Sequence, residues 1–235
     1  AVDVDHAGVG YVEALFTEGL VPIDLPWTPG LEVSGRVRAL GDGVDGYQVG
    51  DAVVALTITG GGGYGQVAVA PGESVVVLGT GPIGLLHIAL AKLAGATTIL
   101  AAGREGRLTA ATDFGATCAV ALTGEALTAE VRERTHGRGA DVVIVAVGDL
   151  ALANQALELA AIGGRVNYFA GFPKGKTASI DPNLIHYREL AVTGGSNARR
   201  ADVRRAVELL SSGALDVGRL VTHRFPLAEL DAAVT

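Results

Sequence analysis

Hydrophobic and polar residues follow two different patterns on either side of residue 70. Before it, short apolar runs such as VSGRVRAL and DAVVALTI are separated by loops rich in glycine and aspartate. This pattern predicts short strands joined by turns, and hence a compact, barrel-like β domain over residues 1–70. From Ser74 onward, continuous apolar runs of strand length alternate with longer stretches of helical periodicity. We therefore predict a second domain over residues 71–235.

The second domain is predicted to be a doubly wound α/β fold of the Rossmann type. Continuous apolar strands such as DVVIVAV indicate burial on both faces, which a parallel sheet flanked by helices provides. The predicted strands are 74–79, 97–102, 117–121, 141–147, 165–170 and 189–194. The predicted helices are 82–94, 105–114, 124–135, 150–161 and 199–212. The fold class is accordingly α/β, with a parallel sheet of six strands beside a β-rich domain.

Composition and charge narrow the classes of partner. The net charge of −7 argues against a nucleic-acid partner, which favours a basic face. No apolar run reaches the length of a membrane span, and no basic leader opens the chain. Cys118 is the only cysteine, which excludes an intramolecular disulfide and a cysteine-rich zinc site. We expect a cytoplasmic protein with neither a membrane nor a nucleic acid as partner.

The first turn of the second domain carries the pattern G-x-G-x-x-G. Gly79, Gly81 and Gly84 follow a predicted strand and open a predicted helix, which is the context that gives this pattern meaning. The first glycine permits a tight turn, the second lets a pyrophosphate approach the backbone, and the third lets helix and strand pack closely. We predict that Gly79, Gly81, Ile83 and Gly84 bind a dinucleotide at the helix start. The alternative is that the glycines serve packing alone.

The end of the second predicted strand favours NADP(H). An NAD site places an acidic residue there to bind the ribose 2′-hydroxyl. This chain has Ala102 and Gly103 at that place, followed by Arg104 and, one turn later, Arg107. A guanidinium can bind a 2′-phosphate through forked hydrogen bonds, so we predict that Arg104 binds the phosphate of NADPH. Glu105 leaves NADH open, and a solvated loop charge is the alternative role for Arg104.

Several segments together resemble the medium-chain dehydrogenase/reductase superfamily. AGVGYVEALFTEGL, TPGLEVSGRVRALGDGVDGYQVGDAVVAL and GGYGQVAVA resemble the GroES-like catalytic domain of zinc-free quinone oxidoreductases. GADVVIVAVG, GGRVNYFAGFPKG and NLIHYRELAVTGG resemble the cofactor domain of polyol and threonine dehydrogenases. The resemblance implies a GroES-like domain followed by a Rossmann domain, and nicotinamide-dependent oxidoreductase activity.

The same resemblance predicts that the chain binds no catalytic zinc. Zinc-dependent members carry a cysteine where this chain has Gly10, and a Gly-His-Glu motif where it has Leu31 and Glu32. The structural lobe with four cysteines is also missing. A lone carboxylate cannot hold zinc in the usual site of three protein ligands. We therefore expect no metal.

Without a metal, the easiest chemistry is hydride delivery to a conjugated ketone or a quinone. We predict an NADPH-dependent reductase of quinones or α,β-unsaturated carbonyls, with the substrate in the cleft between the domains. The resemblance places Tyr11 beside the substrate, as a hydrogen-bond or proton donor; Tyr64 is a weaker candidate, and both tyrosines could simply be structural. Backbone near Gly148, and near Gly171, is predicted to border the nicotinamide; the alternative is that both are simply turn glycines.

Two other functions remain open at this point. One is a polyol or secondary-alcohol dehydrogenase that has lost its metal. The other is a non-catalytic protein that binds NADP(H) as a redox sensor. The resemblance favours the second because family members have tens of residues between GQVAVA and PGESVVVLG, where this chain has only Pro71 to Glu73. Family members also have a strand before AVDVDHAGVG and continue beyond PLAELDAAVT, so the chain is either a minimised form of the family or lacks segments of a longer sequence.

The segment RELAVTGG is predicted to form the exposed edge of the parallel sheet. An edge strand can pair with another subunit, and related proteins associate through this region. We therefore expect a homodimer or a homotetramer that acts on a small carbonyl or quinone substrate.

Overall fold

The structure is a computed structural model that describes residues 2–8, 32–40, 44–56, 69–195, 198, 200–229 and 232. The chain divides into two compact units, one of residues 1–61 and 221–235 and one of residues 62–220. The domain boundary that we predict at residue 70 stays a prediction. In the part of the chain that the structure describes, no helix is both long and apolar enough to cross a membrane.

The first unit contains an antiparallel sheet in its described residues. Its strands are β1 (Val2–Ala7), β2 (Glu32–Val37) and β3 (Ala52–Leu56), with β2 between the other two. Gly35 lies where β1 passes closest, because a Cβ at this position would lie 2.0 Å from the carbonyl oxygen of Asp3. The β-rich character predicted for this part of the chain is thus present.

The second unit is built on a parallel sheet. Within the described residues its strands are β4 (Ser74–Leu78), β5 (Thr98–Ala102), β6 (Cys118–Val120), β7 (Ala140–Val145), β8 (Ala160–Tyr168) and β9 (Ala191–Gly194). They lie in the order β6-β5-β4-β7-β8-β9. The chain builds the sheet outward from β4 in one direction and then from β7 in the other, as in a doubly wound fold. The predicted fold class is confirmed.

Helices alternate with these strands along the chain. They are α1 (Pro82–Leu93), α2 (Leu108–Phe114), α3 (Gly124–Arg134), α4 (Ala151–Leu159), α5 (Pro182–Tyr187) and α6 (Arg200–Ser211). Short 3₁₀ turns lie at Glu105–Arg107, Gly218–Leu220 and Leu227–Glu229. Helix α5 was not predicted, although its start carries a signal: Asp181 caps it by accepting a hydrogen bond from the N–H of Asn183 at 2.9 Å, and Pro182 follows.

Both faces of the parallel sheet are buried. Side chains at alternate positions of β4 point to opposite faces, so that Val75 and Val77 pack with α1 and α2. Val76 and Leu78 pack with α3 and α4 on the other face. Burial on both sides explains why these strands are continuously apolar, and the core holds the carboxyl ends of the strands in fixed register.

A polar network links β4, β7 and β8 at the end of the sheet where β4 and β7 begin. The Asp141 carboxylate accepts hydrogen bonds from the Ser74 N–H at 2.8 Å and the Ser74 hydroxyl at 2.6 Å. Burial alone would raise the pKa of Asp141, but these bonds hold the pKa below its ordinary value. Arg165 pairs with Glu73 beside it, and this hydrogen bond lowers the pKa of the Glu73 carboxyl. The network therefore stabilises the end of the sheet opposite the glycine turn.

Candidate functional site

The glycine turn lies at the carboxyl end of β4, against the end of β7. Gly79 has φ of +107°, a conformation that side chains other than glycine rarely adopt. A Cβ at this residue would also lie 3.1 Å from the Cβ of Val147 and 3.2 Å from the Ala146 carbonyl oxygen. The strand order reverses between β4 and β7, since β5 and β6 are added on one side of β4 and β7 is added on the other, and this is where open α/β sheets form their ligand crevice.

Gly84 and Gly81 have opposite surroundings. A Cβ on Gly84 would lie 1.8 Å from the Gly79 carbonyl oxygen, so α1 packs directly onto the turn. A Cβ on Gly81 would come within 4 Å of only one described neighbour, the Arg107 Nη1 atom at 3.4 Å. The backbone at Gly81 is thus open, whereas the backbone at Gly84 is closed.

Helix α1 begins at this open position without a side-chain cap. Gly81 is the N-cap residue and has no side chain to accept a bond from the first turn, and that turn contains no acidic residue. Pro82 has no N–H, so the N–H groups of Ile83 and Gly84 are the donors that remain at the helix start. Ile83 is 44% exposed. Uncapped N–H groups and the helix dipole make this helix start suited to an anion.

Strand β5 ends beside the same turn. The Gly79 N–H donates to the Ala102 carbonyl at 2.8 Å, and the Gly103 N–H donates to the Val120 carbonyl at 3.0 Å. Ala102 is buried in the core on the α3 and α4 face. No carboxylate is present at either residue 102 or residue 103.

Two exposed arginines follow β5. Arg104 precedes the 3₁₀ turn, and Arg107 ends it with its Nη1 atom facing Gly81. Among the described residues, neither guanidinium forms an ion pair or a side-chain hydrogen bond. From the sequence, Arg104 is the predicted phosphate ligand and Arg107 is only a second basic residue. Three-dimensional structure was needed to find that Arg107 faces the glycine turn.

Gly148 and Gly171 meet at the carboxyl ends of β7 and β8. A Cβ on Gly148 would lie 2.3 Å from the Gly171 carbonyl oxygen, so these two backbone segments are in direct contact. On Gly171, by contrast, a Cβ would meet nothing described within 4 Å. Gly148 therefore lies beside the glycine turn at the carboxyl ends of the strands, where a ligand is predicted. Its contact with the nicotinamide stays a prediction.

Both tyrosine candidates from the sequence, Tyr11 and Tyr64, lie outside the described residues, as do Gly10 and Leu31. His87 packs edge-on against the Phe169 ring, with ring centroids 4.6 Å apart, and burial lowers the pKa of the imidazole to about 4. His87 is therefore neutral at neutral pH and has a packing role.

The chain's histidines and its cysteine all lie in the described residues, but they do not converge. Among the residues that the structure describes, no three His, Cys, Asp or Glu side chains form a group that could hold a metal ion. Cys118 lies on β6 and donates to Glu130 Oε1 at 3.6 Å. Burial raises the pKa of its thiol, which disfavours the thiolate that zinc requires.

A groove of about 740 Å³ lies between α3 and α4. Its lining includes Thr123, Arg132, Asp149 and Gln155. None of the residues that we predict to bind the cofactor lines this groove, so it is separate from the glycine turn.

Two family patterns match the chain. The zinc-binding dehydrogenase family matches residues 82–212, and the GroES-like domain of alcohol dehydrogenases matches residues 1–80. L-threonine 3-dehydrogenase of Bacillus subtilis (strain 168) is 35% identical over 162 residues, which cover 68% of this chain and 46% of the relative. The chain thus spans about half the length of this relative.

Two further comparisons cover nearly the whole chain. Sorbitol dehydrogenase of Halalkalibacterium halodurans is 27% identical over 296 positions, covering 99% of this chain and 86% of the relative. Because 296 exceeds the 235 residues of the chain, the relative has positions that this chain lacks. A Sinorhizobium meliloti 1021 protein solved with NADP bound has a TM-score of 0.85 at 24% identity, covering 99% of this chain and 86% of that one; this likeness concerns the fold alone.

These matches confirm the resemblance drawn from the sequence motifs. The second unit has the strand order of a Rossmann domain, and the family match over residues 82–212 covers most of it. The chain belongs to the zinc-binding dehydrogenase family of the medium-chain dehydrogenase/reductase superfamily.

Proposed function

We propose that this chain binds NADP(H) at the glycine turn after β4. The observation that carries the proposal is the open backbone of Gly81, which has the Arg107 guanidinium as its only described neighbour within 4 Å of a Cβ position. The N–H groups of Ile83 and Gly84 are available there for a pyrophosphate. This helix start fits the phosphates of a dinucleotide because, among the described residues, only the Arg107 guanidinium lies within 4 Å of a Cβ position on Gly81.

The preference for NADP(H) over NAD(H) rests on the end of β5. Neither Ala102 nor Gly103 can bind a ribose 2′-hydroxyl through a carboxylate, and neither repels a 2′-phosphate. Arg104 follows immediately and is exposed, with no partner among the described residues. We assign Arg107 to the pyrophosphate, since it faces Gly81, and Arg104 to the 2′-phosphate.

We further propose that the protein interconverts a hydroxyl and a carbonyl group on a polyol or secondary-alcohol type of substrate. The relatives are named for threonine and for sorbitol, both of which carry hydroxyl groups. This support is stronger than the support for quinone reduction, which the sequence pattern favoured. Bound NADP(H) supplies or accepts the hydride in either reaction. The contact between Gly148 and Gly171 fixes the backbone that follows β7 and β8, at the carboxyl ends of the strands, where the nicotinamide is expected.

The described residues do not fit the zinc ion that the family description implies. A catalytic zinc needs three protein ligands, usually histidine, cysteine or a carboxylate. The only cysteine lies on β6 with a protonated thiol, and no group of three ligands forms among the described residues. No step of the proposed reaction is therefore assigned to zinc.

Reduction of quinones or α,β-unsaturated carbonyls remains the second candidate. The lack of a fitting zinc ligand set in the described residues favours it, because hydride addition to a conjugated system needs only a hydrogen-bond donor at the oxygen. Tyr11 is our candidate for this donor and lies outside the described residues.

Coenzyme binding is tested by calorimetric titration of the purified chain with NADPH and NADH. Gly81→Ala is expected to weaken binding of both coenzymes at least about tenfold, because its Cβ fills the space that a pyrophosphate needs. Gly194→Ala is the matched control, since its Cβ would lie 3.7 Å from its nearest described neighbour, the carbonyl oxygen of Tyr168 in the adjacent strand. Equal binding by both variants would refute the proposed site.

Turnover separates the candidate reactions. NADP⁺ reduction with polyols or secondary alcohols supports the first reaction, and NADPH oxidation with quinones or enones supports the second. Tight binding of NADPH without turnover on either panel would instead support a redox-sensing protein without catalysis.

A further inference from the structure

Thr80 lies in the glycine turn with its side chain against Gly103, at the end of β5. A Cβ on Gly103 would lie 2.0 Å from Thr80 Oγ1, 2.6 Å from Cγ2 and 2.8 Å from Cβ. All three distances are below any normal contact between such atoms. The Thr80 side chain thus occupies the place that any side chain at residue 103 would take.

Rotation of the threonine side chain does not remove this conflict. The Thr80 Cβ atom does not move when χ1 changes, and that atom alone is already 2.8 Å away. Thr80 is only 4% exposed, so it has little room to move aside. The backbone next to Thr80 and the backbone of Gly103 are held as well, because the Gly79 N–H donates to the Ala102 carbonyl and the Gly103 N–H donates to the Val120 carbonyl.

Backbone conformation does not explain why residue 103 is glycine. Gly103 is not among the glycines with positive φ, so its φ is one that an ordinary residue can adopt. Nor is Thr80 needed for an internal hydrogen bond, since its hydroxyl forms none with the residues that the structure describes. The close contact with Thr80 is therefore the reason that position 103 carries no side chain.

We propose that Thr80 determines the coenzyme preference of this site by keeping every side chain, and an acidic one above all, away from position 103. The inference rests on the proposed binding of NADP(H). The end of β5 is where an acidic residue selects NAD(H) in this type of fold. Because the side chain of residue 102 points into the core, residue 103 is the first position at which a carboxylate could face the coenzyme. Thr80 blocks that position sterically and does not change the charge of the site.

The test is a double-mutant cycle of Gly103→Asp, Thr80→Gly and the two together. In the wild-type background, Gly103→Asp is expected to lower the urea midpoint of unfolding and to leave the preference for NADPH in place. In the Thr80→Gly background the same change is expected to cost much less stability. It is also expected to shift the ratio of the NADH and NADPH dissociation constants at least about tenfold toward NADH. Gly103→Ala replaces Gly103→Asp if the latter does not fold.

Gly106→Asp is the matched control for stability. It adds the same carboxylate three residues further along the same loop. A Cβ at this position would meet nothing described within 4 Å. Its urea midpoint should remain that of the wild type. A loss as large as that of Gly103→Asp would show that charge, rather than the contact with Thr80, causes the effect.

The outcomes separate this inference from the proposed function. A stable Gly103→Asp variant that prefers NADH would overturn the inference alone, because Thr80 would then be no barrier. An unchanged coenzyme ratio in the double variant would overturn it as well. If the wild type binds neither coenzyme, the proposed function and the assigned preference fail together, whatever the urea midpoints show.

Discussion

Replacing Arg107 by alanine removes the guanidinium that faces Gly81, whereas replacing Arg104 removes one at the end of β5. The two changes therefore act on different parts of a bound coenzyme. Gly81 is where the pyrophosphate approaches the backbone, and this group is common to NADPH and NADH. The end of β5 is where the 2′-phosphate lies, and only NADPH carries it. Arg107→Ala should weaken both coenzymes by the same factor, and Arg104→Ala should weaken NADPH alone.

The size of both effects follows from exposure. A sheltered hydrogen bond to a charged group contributes about 1.5–3 kcal/mol, but an exposed ion pair contributes only about 0.2–1 kcal/mol. Both guanidinium groups are exposed, although each has no competing partner among the described residues. We therefore expect each substitution to raise the affected dissociation constant roughly 2- to 5-fold. The effect should be smaller at higher salt, because exposed charges are screened.

Calorimetric titration of the wild type and both variants with NADPH and NADH, at low and at physiological salt, measures these factors. Arg107→Lys and Arg104→Lys are the controls, because they keep the charge and remove the forked geometry. An Arg107→Ala variant that loses affinity for NADPH but not for NADH would refute the assignment of this residue to the pyrophosphate. An Arg104→Ala variant that loses both coenzymes equally would refute its assignment to the 2′-phosphate.

Three further predictions concern the scaffold of the site, each followed by urea unfolding. Asp141→Asn should cost about 1–2 kcal/mol at pH 7. The pKa of Asp141 is depressed in the folded state, so the carboxylate's contribution to the free energy of unfolding is present above the unfolded pKa and is lost as pH falls through the folded pKa. A difference in the free energy of unfolding between variant and wild type that persists at low pH would contradict this. Gly84→Ala should cost about 1–3 kcal/mol, because the added Cβ would clash with the Gly79 carbonyl oxygen, and this outweighs the higher helix propensity of alanine. An unchanged urea midpoint would refute the contact. Arg188→Ala should cost about 1–3 kcal/mol, since the guanidinium bonds three carbonyls at the end of α4, and Arg188→Lys should not restore the loss; full restoration would refute the role of its geometry.

The parallel sheet could be predicted from the sequence because its strands are buried on both faces. Each of the strands from β4 to β9 overlaps a predicted one, and continuous apolar runs such as DVVIVAV identify them directly. The start of β8 at Ala160 was predicted wrongly, as the end of a helix. Alanine and glycine in AAIGG suit either structure locally, and the pairing of Ala160 with Ala140 decides the outcome.

The glycine turn was also predictable, but its specificity was not. Gly79, Gly81 and Gly84 could be found from their spacing between a strand and a helix. The contact between Thr80 and Gly103 joins residues from two different loops, so no local sequence pattern predicts it. The approach of Arg107 to Gly81 likewise joins residues of two separate loops, so the sequence pattern around either residue does not predict it.

The central claim is that a pyrophosphate binds the N–H groups at the start of α1. Amide resonances of the purified chain, followed while NADPH is added, test it most directly. We predict that the amides of Ile83 and Gly84 shift and become protected from hydrogen exchange as NADPH saturates. If those two amides stay unchanged at saturation, or if the shifts are confined to the groove between α3 and α4, the proposed site is contradicted.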